Sequence, residues 1–96
     1  IDIEVPAGTK ARAVFDGKVS AIFAQDGFNT VVMVRHGNYL TIYVNLSEIY
    51  VSNGQAVKAN EPIGKIFSDP EDDNRTILHF EVRHEREKLN PQEWVK

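Results

Sequence analysis

The residues of this 96-residue chain best suited to proton or metal chemistry near neutral pH are its three histidines, His36, His79 and His84, since an unperturbed imidazole titrates there. Asp2 adds a carboxylate and Asn45 a carboxamide. His79 lies in Ile77-Leu78-His79-Phe80, where strand alternation sends it to the face opposite Leu78 and Phe80. It reads either as a hydrogen-bonded sheet histidine or as a metal ligand. His36 stands beside Gly37 at a turn and reads as structural, while His84 falls in the charge run Arg83 to Lys88, where solvent is its expected surrounding. With no cysteine, thiolate metal sites and disulfides are excluded. The acidic run Ser68-Asp69-Pro70-Glu71-Asp72-Asp73-Asn74 lacks the alternating ligands, glycine and distal glutamate of a calcium loop. It is expected to be a solvated hairpin tip.

The elements that must position these groups are strands. Alternation and β-branched residues mark Ala11 to Phe23, Thr30 to Arg35, Tyr39 to Asn45 and Ile77 to Arg83. Turn residues separate them: Pro6-Ala7-Gly8, Asp16-Gly17, Gln25-Asp26-Gly27, His36-Gly37-Asn38, Asn53-Gly54 and Asp69-Pro70. Only Asn90-Pro91-Gln92-Glu93-Trp94 reads as helical, one short turn with Asn90 as N-cap and Pro91 first. The expected class is all-β. Val5-x-x-Gly8, Ala13 and Gly17-Lys18-Val19 are echoed by Val51-x-x-Gly54, Ala59 and Gly64-Lys65-Ile66, with one extra residue in the second copy. The echo reflects either a duplicated hairpin unit or chance likeness among short hairpins.

Composition narrows the class further. At 42% hydrophobic and 26% charged residues the chain can fold around one modest core, and residues 1–96 read as a single domain. A net charge of −3 gives no basic footprint for nucleic acid, and no apolar run approaches the roughly 20 residues of a membrane span. Opening at Ile1 inside a strand-like pattern, the chain is expected to be the C-terminal part of a longer protein.

Taken in order, Ile1-Asp2-Ile3, Pro6-Ala7-Gly8-Thr9, Asp16-Gly17-Lys18-Val19, Val34-Arg35-His36-Gly37, Thr41 to Ser47, Val51 to Val57 with Gly54-Gln55, Glu61-Pro62-Ile63-Gly64, Leu78-His79-Phe80-Glu81-Val82-Arg83 and Asn90-Pro91 resemble the LytM/lysostaphin-like metallopeptidase family. The resemblance implies antiparallel sheets of duplicated hybrid-motif type and a peptidoglycan endopeptidase ancestry. It also implies a zinc site built from a His, an Asp four residues later and the second His of a His-x-His pair, with two further catalytic histidines. Asp2 and His79 match the second and third ligands; the first falls ahead of Ile1. Asn45, in Tyr43-Val44-Asn45-Leu46, stands where the family has one catalytic histidine, and Ile77 stands where it has the other.

Neither a carboxamide nor an alkyl group can take a proton from zinc-bound water, and a catalytic zinc needs three protein ligands plus an open position. The resemblance therefore implies a degenerate domain akin to the murein hydrolase activators of the EnvC and NlpD type, with no catalysis and no bound cofactor expected. Its former active-site groove, assigned to Phe28, Tyr43, Asn45, Ile77 and His79, would bind a cell-wall amidase or other murein hydrolase, and possible contact with peptidoglycan follows. Core packing is the competing place for Phe28 and Tyr43. Envelope, periplasmic localisation rests on the same resemblance. The alternative is an active zinc endopeptidase cutting peptidoglycan cross-bridges. A carrier domain is a third reading, because Val51 to Ile66 resembles biotinyl and lipoyl hairpins; Lys18, Lys58 and Lys65 do not sit at the exposed tip such a carrier requires.

Overall fold

The computed structural model describes residues 1–27 and 29–84. Among them run nine strands: β1 (Asp2–Val5), β2 (Lys10–Arg12), β3 (Gly17–Gln25), β4 (Asn29–His36), β5 (Tyr39–Ile49), β6 (Ala56–Val57), β7 (Pro62–Ile66), β8 (Ser68–Asp69) and β9 (Arg75–His84). All their ladders are antiparallel. The long sheet has the order β1-β9-β5-β4-β3-β6; β7 joins it through β5 and carries β2, and β8 pairs with β9. The all-β expectation is met, and no helix among the described residues is long and apolar enough to cross a membrane. The helical turn expected at Asn90 to Trp94 lies outside the described residues. Within them, one 3-10 turn, Pro70–Asp72, crosses the tip between β8 and β9. Asp69 caps it by accepting from the Glu71 amide at 2.9 Å, and Pro70 fixes its first position.

The strand expected across Ala11 to Phe23 is broken at residues 13–16. There the backbone turns to the segment before β7: Ala13 N donates to Glu61 O at 2.9 Å, and Asn60 N donates to Ala13 O at 2.6 Å. Asp16 Oδ1 accepts from the Ala59 amide at 2.7 Å. These bonds satisfy groups that a continuous ladder would otherwise have used.

The internal echo has a structural counterpart. The first short strand of one half lies against the second strand of the other: β2 pairs with β7, and β6 with β3. Equivalent backbone bonds close both crossings, Ile66 N to Thr9 O at 3.1 Å and Val19 N to Gln55 O at 2.8 Å. Gly8 and Gly54 both take left-handed turns, at φ 89° and 83°. Gly17 and Gly64 are the points of close approach, since a Cβ on either would stand 2.5 Å from a backbone oxygen, of Arg35 and Glu48 respectively.

Between the long sheet and the β2–β7 arm lies the main core of Ala11, Ala13, Val19, Val32, Val34, Tyr43, Leu46, Val51, Val57, Ile63 and Ile66. A smaller apolar cluster, Val31, Ile42 and Val44 with Met33 against it, occupies the other face of the sheet. The two faces follow strand alternation until Asn45. There the β4–β5 register shifts, Thr30 pairing with Leu46 and Val31 with Val44, so that Asn45 is an extra residue with φ 85°. The bulge lets β5 leave β9 and continue beside β7, with Leu46 opposite Ile66. Asn45 O accepts from Phe67 N at 2.9 Å where the strand turns away.

Candidate functional site

On the outer face, alternate residues of β9 point the same way: Arg75, Ile77, His79, Glu81 and Arg83. They form one wall of three connected depressions. The first, about 350 Å³, lies between Phe23 and Gln25 of β3 and His79, Glu81 and Arg83, with Val31, Met33, Ile42 and Val44 beneath. The next, about 250 Å³, shares Val44 and His79 and adds Asp2, Gly27, Asn45 and Ile77. The third, about 210 Å³, shares Gly27, Asn45 and Ile77 and ends at Asp69, Asp72 and Arg75. Together they make a groove with an apolar floor and a polar rim.

Asp2 and His79 face each other in register across β1 and β9. His79 Nδ1 is 2.5 Å from Asp2 Oδ1, and Nε2 is 2.8 Å from Glu81 Oε2. Glu81 also accepts two bonds from Arg83, from Nε at 3.0 Å and Nη2 at 2.8 Å. With a carboxylate at each nitrogen, both ring N–H groups have acceptors, which favours the imidazolium. The hydrogen bond to Asp2, and then that to Glu81, raises the His79 pKa above its ordinary value. Glu81 is correspondingly lowered by the bond from His79 and then those from Arg83.

Zinc, which the resemblance implies, needs donors converging on one point. Asp2 and His79 supply two, and Glu81 cannot complete the set because it holds the opposite ring nitrogen from Asp2. Among the described residues no three His, Cys, Asp or Glu side chains gather as a metal site. The described residues therefore supply two of the three ligands that the resemblance implies.

Asn45 stands at the centre of the groove as a strap. Its Nδ2 donates to Ile77 O at 2.8 Å and its Oδ1 accepts from Asn29 Nδ2 at 2.7 Å, tying β5 to β9 and to the start of β4. The left-handed backbone at this position suits asparagine better than most residues. Ile77 offers the groove only hydrocarbon.

The sequence assigned five residues to this groove, and the structure brings Asn45, Ile77 and His79 together there, with Asp2 beside them. Tyr43 is a correction: at 1% exposure it belongs to the main core, tilted against Phe80 at 5.3 Å between ring centroids, with its hydroxyl accepting from Val14 N at 3.3 Å. Burial raises its pKa. Phe28 lies outside the described residues. Glu81, Arg83 and Asn29 are members that sequence reasoning missed; stepping by two from His79 would have found the first two. His36 is structural. Its Nδ1 donates to Asp16 O at 2.9 Å, which leaves Nε2 to accept from the buried Thr41 hydroxyl at 2.8 Å. His84, expected in solvent, is half-buried and packs edge-on against Tyr39 at 4.6 Å.

Comparison with known proteins places this geometry. Residues 1–91 match Peptidase family M23. The chain is 37% identical over 91 residues to the uncharacterized protein NMB1333 of Neisseria meningitidis, covering 94% of this chain and 15% of that protein. It is 34% identical over 89 residues to the murein hydrolase activator EnvC of Escherichia coli, covering 92% of this chain and 21% of EnvC. It thus spans about a fifth or less of either relative. A zinc-containing peptidase from Vibrio cholerae superposes with a TM-score of 0.73 at 27% identity, over 88% of this chain and 26% of that one. Matched along nearly its whole length and folded in the same way, the chain belongs to the M23 peptidase family.

Proposed function

We propose that this domain is a non-catalytic regulatory module of the bacterial cell envelope, periplasmic in location, which binds a cell-wall amidase through its outer-face groove and relieves that enzyme's autoinhibition. The observation that carries the reading is the state of Asn45. Where the family's resemblance expects a catalytic imidazole, a carboxamide has its oxygen and its nitrogen engaged by Asn29 and Ile77. It has no basic atom with which to draw a proton from water. Ile77 replaces the second expected imidazole with hydrocarbon and, with Val31, Ile42 and Val44, makes a floor suited to the apolar face of a helix. The likeness to EnvC, named as a murein hydrolase activator, supports the same conclusion. Zinc has no part in this reading, and peptidoglycan is at most a secondary contact.

The test is amidase activity on purified peptidoglycan with and without the domain. Stimulation by the wild-type chain, and its loss in Ile77→Glu, is the expected outcome; unchanged stimulation by Ile77→Glu overturns the assignment of the groove. A zinc endopeptidase is the second reading, favoured by the juxtaposition of Asp2 and His79. Stoichiometric zinc in a chain extended upstream of Ile1, together with chelator-sensitive release of muropeptides, would establish it instead.

A further inference from the structure

The groove is not symmetric end to end. One end is closed by the acidic β8–β9 tip, where the guanidinium of Arg75 is shared between Asp72 at 4.0 Å and Glu4 at 3.3 Å. Asp69 and Asp72 themselves line the groove. At the other end the charges cancel, Glu81 being held by Arg83 and by His79. Between the ends the floor is apolar. The β9 residues along the wall, Arg75 to Arg83, are eight steps apart, or about 26 Å at roughly 3.3 Å per residue. An α-helix of about 17 residues has that length.

We propose that the groove reads the polarity of its partner: the occupant is a single amphipathic α-helix of four to five turns whose basic N-terminal turn lies over Asp69 and Asp72 and whose C-terminal turn lies beside Arg83. This rests on the groove reading above and adds direction to it. A helix N-terminus carries a partial positive charge and its C-terminus a partial negative one. The net negative tip therefore attracts the N-terminal end, and lysine or arginine in the first turn strengthens the preference. Reversal would set carbonyl ends and acidic side chains against the carboxylates of Asp69 and Asp72. Two copies of this chain would not satisfy the groove in the same way, because the described residues contain no helix beyond the three-residue turn Pro70–Asp72.

Two fluorescein-labelled 17-residue peptides with an identical leucine stripe test the proposal, one carrying lysines in the first turn and glutamates in the last, the other with these reversed. Anisotropy titration against the wild-type chain at low salt should show about fivefold tighter binding of the lysine-first peptide, and the difference should shrink as salt is added. Asp69→Asn/Asp72→Asn keeps the side-chain shapes and the cap of the 3-10 turn. It should bind both peptides alike, with circular dichroism confirming the fold. Equal binding by the wild-type chain, or a preference for the reversed peptide, overturns the polarity while leaving the groove in place. Failure of both peptides to bind, with the fold intact, overturns the groove reading and the polarity with it.

Discussion

On the inner face of β4 and β5, Val32, Val34, Tyr43 and Leu46 are each no more than 1% exposed and interlock with residues from β2, β3, β6 and β7. One residue away along the same strands, the outer face presents Val31, Met33, Ile42 and Val44 as a floor edged by Gln25, His79, Glu81 and Arg83. The inner face has its partner within the chain; the outer face has a groove. On the proposed reading, the contrast divides stability and recognition between two surfaces only a sheet's thickness apart. Asn45 is where they meet, since its bulge decides which side chain goes to which face.

Substitutions can separate the two faces. The largest effect is expected from Leu46→Ala, which empties a fully buried site and should cost about 3 kcal/mol in urea unfolding. The folded fraction should bind in the groove as before. If groove binding falls in proportion to the cavity, the two faces are coupled and the comparison fails. Asn45→Ala should cost about 1–2 kcal/mol through two lost side-chain bonds and a left-handed backbone that alanine resists. Asn45→Gly removes the same bonds and relieves the backbone, so it should be the milder of the two; equal losses would mean that the bulge carries no conformational cost.

The smallest effect is a pH dependence confined to the outer face. Because the folded pKa of His79 is raised above its ordinary 6.5, its contribution is complete below that value and is lost as pH rises through the folded pKa. Glu81, lowered from 4.5, contributes above that value and loses its contribution as pH falls through its folded pKa. Both side chains are substantially exposed, His79 at 40% and Glu81 at 32%, so solvent screening keeps the amplitude small. The urea midpoint should decline on either side of this window, and His79→Gln should flatten the alkaline arm. An alkaline arm that persists unchanged in the variant assigns the dependence elsewhere.

Much of this was legible in the sequence, and the exceptions have physical causes. The strands β4, β5 and β9 follow from β-branched alternation, whereas the burial of both faces of β4 and β5, with Val31, Ile42 and Val44 on the outer face at 2%, 6% and 8% exposure, depends on tertiary packing that alternation does not contain. Tyr43, a groove candidate for which core packing is the competing place, is two residues from Asn45, which on a regular strand would put the two on one face. The left-handed residue at Asn45 reverses the parity and sends Tyr43 into the core. Asparagine's tolerance of that conformation was the available signal. Arg83 was hidden by its membership of a charged run, although it is fixed on Glu81. The break at residues 13–16 depends on bonds to residues 59–61, which no local pattern contains.

The reciprocal crossing of β2 on β7 and β6 on β3 has a further consequence. A chain severed between Tyr50 and Gln55 would leave each piece with one strand of both crossings and the complement of neither. The expected outcome is that the pieces complete both crossings only when mixed. Two intact molecules refolding at high concentration offer each other the same edges, so a half-exchanged dimer is the by-product to look for by size-exclusion chromatography.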